Sequence, residues 1–298
     1  MFMSAKIRKV GSADLKDILV ISKQTWGGFD YLPNVIDEWL RDQNSYTCGV
    51  EVNGKLVALA NLRVIENEKT GWMEGLRVHE KHRGKGYANL LTEHVIEEGE
   101  KRKVDRLRYT TGSDNAASLK LASKHGFSRI LELGVFWHPS ITTKSSPTSE
   151  LNVREVGFLE ANSLLAQNPT LLPNGILVYD WKALDFSKEN LETIAKSHKF
   201  FMASKQDQLD SFSMAYPRPQ AKFKIWMMTI YARDFPSLLE QFAYNKSEAR
   251  KNGCKALMCT VQTEFEEPLR KAKIIYPKRW RTHLVLLERT LFMIHERN

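Results

Sequence analysis

Residues 79–91 read HEKHRGKGYANLL, a basic turn with two glycines that leads directly into apolar residues at helical spacing. A helix beginning near Tyr87 starts with N–H groups that lack intrahelical acceptors, and the helix dipole adds partial positive charge at that end. Gly84 and Gly86 would let an anion approach this backbone without a Cβ in the way. The stretch therefore predicts an anion site, and a pyrophosphate fits it.

The spacing separates this turn from two well-known phosphate-binding motifs. It lacks the GxxxxGK[ST] pattern of a P-loop, and it is not the GxGxxG of a first dinucleotide-binding unit. A bare Gly-x-Gly also occurs in many ordinary solvent-exposed turns, so the flanking sequence has to decide between the two interpretations.

Composition limits the class of protein. The 298 residues are 42% hydrophobic, which is enough for two cores. No apolar run of membrane-spanning length and no signal-like start is present, so we expect a protein of the cytosol or nucleus without a membrane partner. The net charge of +9 favours an anionic partner, but basic and acidic residues are interspersed, so we expect no nucleic-acid partner. Cys48, Cys254 and Cys259 lack CxxC spacing and predict buried thiols, with neither disulfides nor a metal site.

The order of predicted elements divides the chain into two halves. The segment 141–150, ITTKSSPTSE, is typical of a linker and separates residues 1–140 from residues 151–298. The first half predicts a mixed α/β layout in which Asn53-Gly54 forms a type I′ hairpin turn, Ser12 caps the first helix and Gly126 ends a later one.

The second half repeats the element order of residues 71–137: strand, helix, strand, helix, strand. Where the first half has RGKGYA, the second has Asp234, Phe235 and Pro236, with no glycine. We therefore expect a similar fold without a phosphate cradle, which would bind no second coenzyme.

Three separately spaced segments carry a resemblance to a known family: GWMEGLRV at 71–78, RGKGYA at 83–88 and DNAASLKLASKHGF at 114–127. Together they resemble the Gcn5-related N-acetyltransferase (GNAT) superfamily, whose members transfer an acetyl group from acetyl-CoA to an amine. The resemblance implies an α/β (α+β) GNAT fold, a mixed central sheet flanked by helices, with a second, degenerate GNAT-like half. Residues 1–140 would be the catalytic domain, and residues 151–298 a degenerate domain without a pyrophosphate loop.

The resemblance also implies how acetyl-CoA is bound, with no metal. Amides of the turn would cradle the pyrophosphate, the strand before it would pair with the pantetheine, and an asparagine near 115 would hydrogen-bond the pantetheine arm. The cofactor-binding residues expected on this basis are Leu76, Arg77, Val78, Arg83, Gly84, Lys85, Gly86, Tyr87, Ala88, Asn89 and Asn115.

Glu74 occupies the position where many such enzymes place a general base, because an ammonium must lose a proton before it attacks a thioester. The alternative is a strand carboxylate that faces solvent or pairs with Arg77 or Arg108. The family pattern often has a tyrosine seven residues after Asn115 to protonate the sulfur, but this chain has Ala122 there. The residues that could substitute for it are Tyr87, Ser118, Ser123 and His125.

The acceptor site is expected in the loop TWGGFDYLP, residues 25–33. Asp30 could hold an ammonium or imidazolium, and Trp26, Phe29 and Tyr31 could enclose or stack on a planar side chain. The alternative is a hydrophobic hinge that packs two helices on the sheet. WGGFDYLP followed by Trp39 resembles the histidine N-acetyltransferase-like (N-acetyltransferase 16-like) branch, which implies a free amino acid such as L-histidine, acetylated at its α-amine in a ternary complex.

Three further expectations concern the substrate and the assembly. A substrate carboxylate would need a cation or hydrogen-bond donors, which the second half could supply from Tyr216, Arg218, Lys222 and Lys224. The alternative is a structural role for most of these residues. Partners would be acetyl-CoA and a small amine, with the protein a monomer or homodimer. The rival functions are acetylation of a protein, peptide or polyamine, and a non-catalytic CoA-binding module, which Ala122 favours.

Overall fold

The structure is a computed structural model that describes residues 5–23, 25, 30–139, 141, 153–205, 208–220, 223–275 and 281–291. These residues belong to two compact units. The first unit comprises Met1–Tyr109, Ala117–Ser128 and Leu287–Asn298, and the second comprises Thr110–Ala116 and Arg129–Leu286.

The first unit is a sheet in the order β1-β2-β3-β4-β5 with helices packed on it. Its β4 and β5 are parallel and its other pairs are antiparallel. Its elements are β1 (Lys6–Lys9), α1 (Leu15–Lys23), α2 (Leu32–Arg41), β2 (Ser45–Val52), β3 (Lys55–Ile65), β4 (Thr70–Val78), α3 (Tyr87–Lys101), the start of β5 (Arg106–Gly112) and most of α4 (Ala116–Lys124).

Two of the predicted turns are confirmed and one predicted cap is wrong. Asn53 and Gly54 have φ of 51° and 73°, as a type I′ turn between β2 and β3 requires. Gly126 has φ of 73° after α4, which ends the helix in the left-handed conformation. Ser12 does not cap the first helix: the carboxylate of Asp14 accepts the N–H of Gly11 instead, at 3.0 Å.

The strand β4 contains the irregularity that shapes the site. Its register with β3 changes from Leu59 opposite Arg77 to Asn61 opposite Glu74, so β4 carries one extra residue. Gly75 lies in this bulge with φ of 69°, and the ring of Trp39 lies 2.5 Å from where a Cβ would be. A side chain at position 75 would meet both backbone strain and Trp39, so the bulge needs glycine.

β4 also separates from its other neighbour. Among the described residues it pairs with β5 at three positions, Thr70–Trp72 against Arg106–Arg108. From Met73 onward β4 keeps its pairing with β3. Two parallel strands that part in this way leave main-chain groups of β4 available to a ligand.

The chain returns to the first unit at its last described strand, β14 (Arg281–Thr290). Arg108 donates to Glu288 at 2.7 Å, Arg289 donates to the carbonyl of His125 at 2.9 Å, and the N–H of Leu291 donates to the carbonyl of Asp105 at 2.8 Å. These bonds fix residues 288–291 to β5 and to the end of α4.

The second unit is a sheet in the order β14-β6-β13-β12-β11-β10-β7, with a separate hairpin of β8 and β9. Its elements are most of β6 (Ser128–His138), β7 (Arg154–Val156), α5 (Phe158–Gln167), β8 (Ile176–Tyr179), β9 (Lys182–Asp185), α6 (Lys188–Ala195), β10 (Lys199–Lys205), β11 (Gln208–Pro219), β12 (Lys224–Ala232), α7 (Phe235–Lys251), β13 (Cys254–Gln262), α8 (Glu266–Lys271) and most of β14.

The predicted repeat is present in the second unit as β12, α7, β13, α8 and β14. Unlike β4 and β5, the parallel strands β12 and β13 stay paired over seven positions, from Lys224 to Ile230. The carboxylate of Asp234 caps α7 by accepting the N–H of Ser237 at 2.8 Å. A negative charge of the protein's own thus occupies the end of α7 where a phosphate would bind.

The two compact units do not follow the expected division into residues 1–140 and 151–298. Residues 129–138 of β6 group with the second unit, and residues 287–291 group with the first. The strand partners are far apart in sequence, so local composition does not reveal this exchange. The expected domain boundaries stay a prediction, and residues 142–150 of the expected linker lie outside the described residues.

The three cysteines are buried free thiols, as predicted. Burial raises the pKa of the Cys48 thiol to about 12. Within the described ranges, no group of three or more His, Cys, Asp or Glu side chains is arranged to hold a metal ion. None of the helices in the described ranges has the length and apolar character needed to cross a bilayer.

Candidate active site

The glycine turn before α3 has the geometry of an anion cradle. Gly84 and Gly86 have φ of 75° and 83°, and no described atom lies within 4 Å of a Cβ built on either. The first bond of α3 runs from the N–H of Leu90 to the carbonyl of Gly86, at 3.0 Å. The N–H groups of Tyr87 and Ala88 therefore precede the helical ladder and have no acceptor within it. A pyrophosphate fits this open, donor-rich turn.

Basic side chains surround the cradle and tie its helix to α4. Arg83 and Lys85 are exposed. The side-chain oxygen of Asn89 accepts a hydrogen bond from the Lys124 ammonium and lies 3.0 Å from Nε2 of His125. Burial, together with the positive charges of Lys124 and Arg289, lowers the pKa of His125. Asn89 thus fixes the first turn of α3 to the last turn of α4.

The edge of β4 that faces away from β3 follows from the ladder. The N–H of His79 donates to the carbonyl of Val57 at 2.8 Å, so the main-chain groups of His79 face β3. Successive residues of a strand direct their main-chain groups to opposite edges, so those of Val78 face away from β3. The carbonyl of Val78 accepts a bond from Arg83 at 3.3 Å, and that of Leu76 accepts one from Arg77 at 3.0 Å. A pantetheine strand would compete with these side chains for the two carbonyls.

Asn115 belongs to the second unit. Its exposed side chain donates to Thr111 at 3.2 Å, and its N–H donates to Gly112 at 3.0 Å in the turn before α4. Its expected contact with the pantetheine stays a prediction.

Glu74 is half-buried on the bulged strand, where its carboxylate accepts the side-chain N–H of Asn61 at 3.2 Å. Burial alone would lower the pKa of Arg63, but the negative charges of Glu74 and then Glu38 have the larger combined effect, so the pKa of Arg63 is raised. Asp30 is a carboxylate partner of Arg77, and Glu288 and Glu68 are carboxylate partners of Arg108. Glu74 accepts a hydrogen bond from a neutral donor and interacts with the charge of Arg63.

The expectation that Asp30 holds a substrate cation requires correction. Its side chain has no exposed surface, and its two oxygens accept bonds from Arg77 at 3.0 Å each. One oxygen also accepts the N–H of Leu32, at 3.2 Å. The alternative considered from sequence, a structural hinge, explains Asp30 better, since the pair fixes the start of α2 to β4.

Tyr31 lies beside the ion pair of Asp30 and Arg77. The Arg77 guanidinium lies 5.3 Å from the Tyr31 ring centroid, and the Trp39 ring meets that ring edge-on at 6.3 Å. Protein around the hydroxyl raises the pKa of Tyr31, with the carboxylates of Glu74 and Asp30 adding to the shift and Arg77 opposing it. The residue as a whole is 38% exposed. Trp26 and Phe29 lie outside the described residues.

The position at which the family often has a tyrosine acid holds a buried alanine, Ala122. Ala122 is 2% exposed in α4 and carries no acidic proton. Among the residues that could substitute for that tyrosine, the Tyr87 ring is stacked with the His82 ring at 6.3 Å between centroids, and His125 contacts Asn89. Ser123 is exposed, and the carbonyl of Ser118 accepts a hydrogen bond from Tyr109 at 3.4 Å. Tyr109, which was not predicted from the sequence, lies on β5 directly after the last residue paired with β4.

The proposed carboxylate ligands of the second half have a protein partner. Tyr216 donates to Asp180 at 2.6 Å, and Arg218 donates to the other oxygen of Asp180 at 3.0 Å. Lys224 is exposed at the start of β12, and Lys222 lies outside the described residues. The prediction for Tyr216 and Arg218 is therefore revised to a structural role at the β8–β9 turn.

Two buried residues near Glu74 were also missed. Asn61 and Thr47 are 0% and 2% exposed on β3 and β2. The signal was an asparagine within the otherwise apolar run LVALANL, where a buried amide needs a polar partner.

Known proteins with similar sequences were found for this chain. Residues 14–127 match the acetyltransferase (GNAT) family. Histidine N-acetyltransferase of Scomber australasicus is 29% identical over 61% of this chain and 60% of that protein. That of Oreochromis niloticus is 25% identical over 87% of this chain and 83% of that protein. The human probable N-acetyltransferase 16 is 30% identical over 61% of this chain and 54% of that protein.

The fold is shared more widely than the sequence. A putative acetyltransferase from Thermoplasma acidophilum superimposes with a TM-score of 0.64 at 16% identity, over 96% of this chain and 100% of that one. The expected fold class, a mixed sheet with flanking helices and a second GNAT-like half, is thus confirmed. Over residues 14–127 the sequence is thus similar to the GNAT family of acetyltransferases, and the chain has the fold of a GNAT protein.

Proposed function

We propose that this protein transfers the acetyl group of acetyl-CoA to the α-amine of a free amino acid such as L-histidine. One observation carries the proposal: an open glycine cradle at α3 follows directly on a bulged strand whose half-buried carboxylate, Glu74, lies beyond the point where β4 parts from β5. The names of the related fish proteins support the choice of acceptor.

The cradle would hold the coenzyme by its diphosphate. The amides of Gly84 to Asn89 are the donors, and Arg83 and Lys85 add positive charge beside them. Val78 presents its main-chain groups to the edge along which the pantetheine would extend. Bound in this way, acetyl-CoA supplies an acetyl group activated as a thioester.

Glu74 would accept the proton that the acceptor must lose. The α-amine of an amino acid is largely an ammonium at neutral pH, and only its neutral form can attack a carbonyl carbon. The donor from Asn61 and the field of Arg63 both favour the ionised carboxylate, which can take that proton directly or through one water. Attack then proceeds directly in a ternary complex, with no acetylated side chain on the protein.

The departing thiolate needs a proton, and Ala122 has none to give. We propose that water or the acceptor nitrogen supplies it, because a thiolate is a stable enough leaving group to depart without an acid beside it. Tyr31, which is 38% exposed as a residue, would contact the acceptor by stacking its ring on a planar side chain such as imidazole.

The experiment follows thiol release from acetyl-CoA with a panel of free amino acids, polyamines and peptides. Release with an amino acid such as histidine is expected. Release with polyamines or peptides alone would overturn the proposed acceptor, and CoA binding without release for any amine would indicate a non-catalytic CoA-binding module.

Glu74→Gln tests the base. Loss of a general base typically costs about 10²–10⁴-fold, so we expect a fall of that order in kcat/KM with CoA affinity unchanged. Glu66→Gln, an exposed glutamate after β3, serves as the matched control. Equal kcat/KM for Glu74→Gln and the unaltered protein across the pH range would remove Glu74 from this role.

A further inference from the structure

We propose that Thr47 and Asn61 are positioning residues that fix the direction of the hydrogen bond to Glu74, so that its carboxylate is held for proton transfer. The inference rests on the proposed role of Glu74 and extends it to two residues that would not touch substrate. Three adjacent strands supply one residue each, and the three form a row across the sheet.

The row follows from strand register. Thr47 on β2 lies opposite Asn61 on β3, and Asn61 lies opposite Glu74 on β4. Directly opposed residues share a face of the sheet, so the side chain of Asn61 can contact both Thr47 on one side and Glu74 on the other. They do so, with 2.9 Å from the Thr47 hydroxyl to the Asn61 oxygen and 3.2 Å from the Asn61 nitrogen to Glu74.

The bulge in β4 creates the second of these contacts. Continuing the register of Leu59 and Arg77 without the extra residue would bring Gly75 opposite Asn61. A shift of one residue turns a strand's side chains to the other face, so Glu74 would then point away from the row. The extra residue therefore aligns Glu74 with Asn61.

Burial makes the row directional. Thr47 and Asn61 are 2% and 0% exposed, and Leu62 next along the strand is also 0% exposed. An unpaired polar group at such a buried site is unfavourable, so each group needs its partner. The Thr47 hydroxyl donates to the Asn61 oxygen, which leaves the Asn61 N–H group directed at Glu74. A flipped amide would set its oxygen against the carboxylate.

Charged and titratable groups also act on Glu74 from the elements around it. Arg63 on β3 and Tyr31 before α2 both interact with its charge. Asn61 differs from Arg63 and Tyr31 because it is neutral and has no exposed surface. Its effect on the Glu74 carboxylate therefore depends only on which way its amide group is turned. Thr47, which is two strands away, controls that orientation.

The experiment compares Thr47→Val, which replaces the hydroxyl by a methyl group of similar size, with Thr47→Ser, which keeps the hydroxyl. One readout is the ¹³C titration of the Glu74 carboxyl in the free protein, and another is the pH profile of kcat/KM. If the Asn61 donor no longer points at Glu74, the ionised carboxylate loses a hydrogen bond and its titration midpoint should move upward by roughly 1 pH unit. Because the carboxylate is then no longer held in position for proton transfer, kcat/KM at neutral pH should fall about tenfold. Thr47→Ser should stay within about twofold of the unaltered protein.

Ser45→Ala is the matched control, because Ser45 lies on the same strand and its hydroxyl donates to Asp42 at 3.0 Å, outside the row. It should leave the titration of Glu74 unchanged. Asn61→Leu provides a second variant that removes the donor itself, with a larger expected fall in kcat/KM of about 10–100-fold.

The outcomes separate this inference from the proposed function. If Glu74→Gln abolishes turnover but Thr47→Val changes neither the titration nor the pH profile, the row is structural and the inference fails. If Glu74→Gln retains full turnover, the base assignment itself fails. In a Glu74→Gln background, Thr47→Val should have no further effect on kcat/KM, and an undiminished effect there would also overturn the inference.

Discussion

Replacing Gly86 by alanine would test the cradle. Gly86 has φ of 83°, and its added Cβ would meet no described atom within 4 Å. The folding cost is therefore limited to holding an alanine in the left-handed region, about 1–2 kcal/mol. The new methyl group would occupy open space on the approach to the amides of α3, where the diphosphate is proposed to bind.

The effect on coenzyme binding should exceed the effect on folding. Displacing the diphosphate would weaken one or two charge-assisted hydrogen bonds, each contributing about 1.5–3 kcal/mol. Since 1.4 kcal/mol corresponds to a factor of ten, the Kd for CoA should rise about 10–100-fold. Isothermal titration calorimetry with CoA measures this rise, and urea denaturation measures the folding cost separately.

Gly253 provides the matched control for this substitution. It follows α7 with φ of 70°, and its added Cβ would also lie in open space. Gly253→Ala should therefore lose about the same 1–2 kcal/mol of stability while its Kd for CoA stays unchanged. If Gly86→Ala binds CoA within twofold of the unaltered protein, the diphosphate does not lie against Gly86 and the proposed binding mode is wrong.

Two further substitutions test Asp30, whose predicted role the structure corrects, and His198, which lies directly before β10. Asp30→Asn leaves the largely buried Arg77 without its counter-charge and should cost about 3–5 kcal/mol in urea denaturation, whereas a loss below about 1 kcal/mol would show that the pair is dispensable. Burial lowers the pKa of His198 to about 4, so the unfolded chain binds more protons than the folded protein between pH 4 and 6.5. Stability should therefore fall as the pH drops through that range, by up to about 3 kcal/mol, and His198→Phe should flatten this dependence; an unchanged slope would exclude His198 as its source.

Features set by neighbouring residues could be predicted from the sequence. The Asn53-Gly54 turn, the stop at Gly126 and the glycine turn before α3 depend on backbone preferences within a few residues. The second half lacks a cradle for an equally local reason, since Asp234 has a capping side chain where Gly86 has none. Local chemistry of this kind can be read without knowing what packs against it.

Features set by distant partners could not be predicted. Asp30 was a plausible ligand until Arg77, 47 positions along the chain, proved to use both of its oxygens. Asn61 contacts Glu74 because the bulge in β4 places the two residues opposite each other. Neither pairing has a local signature, because each depends on strand register and on the placement of a loop against the sheet.

The placement of residues 288–291 in the first unit bears on how the protein is made. Arg108 and Asp105 bond to Glu288 and Leu291, which the ribosome adds about 180 residues later. During synthesis, the nascent first unit must wait for these contacts with its buried Arg108 still lacking the Glu288 carboxylate. Translation therefore cannot complete the packing of the first unit until residues 288–291 have been synthesised.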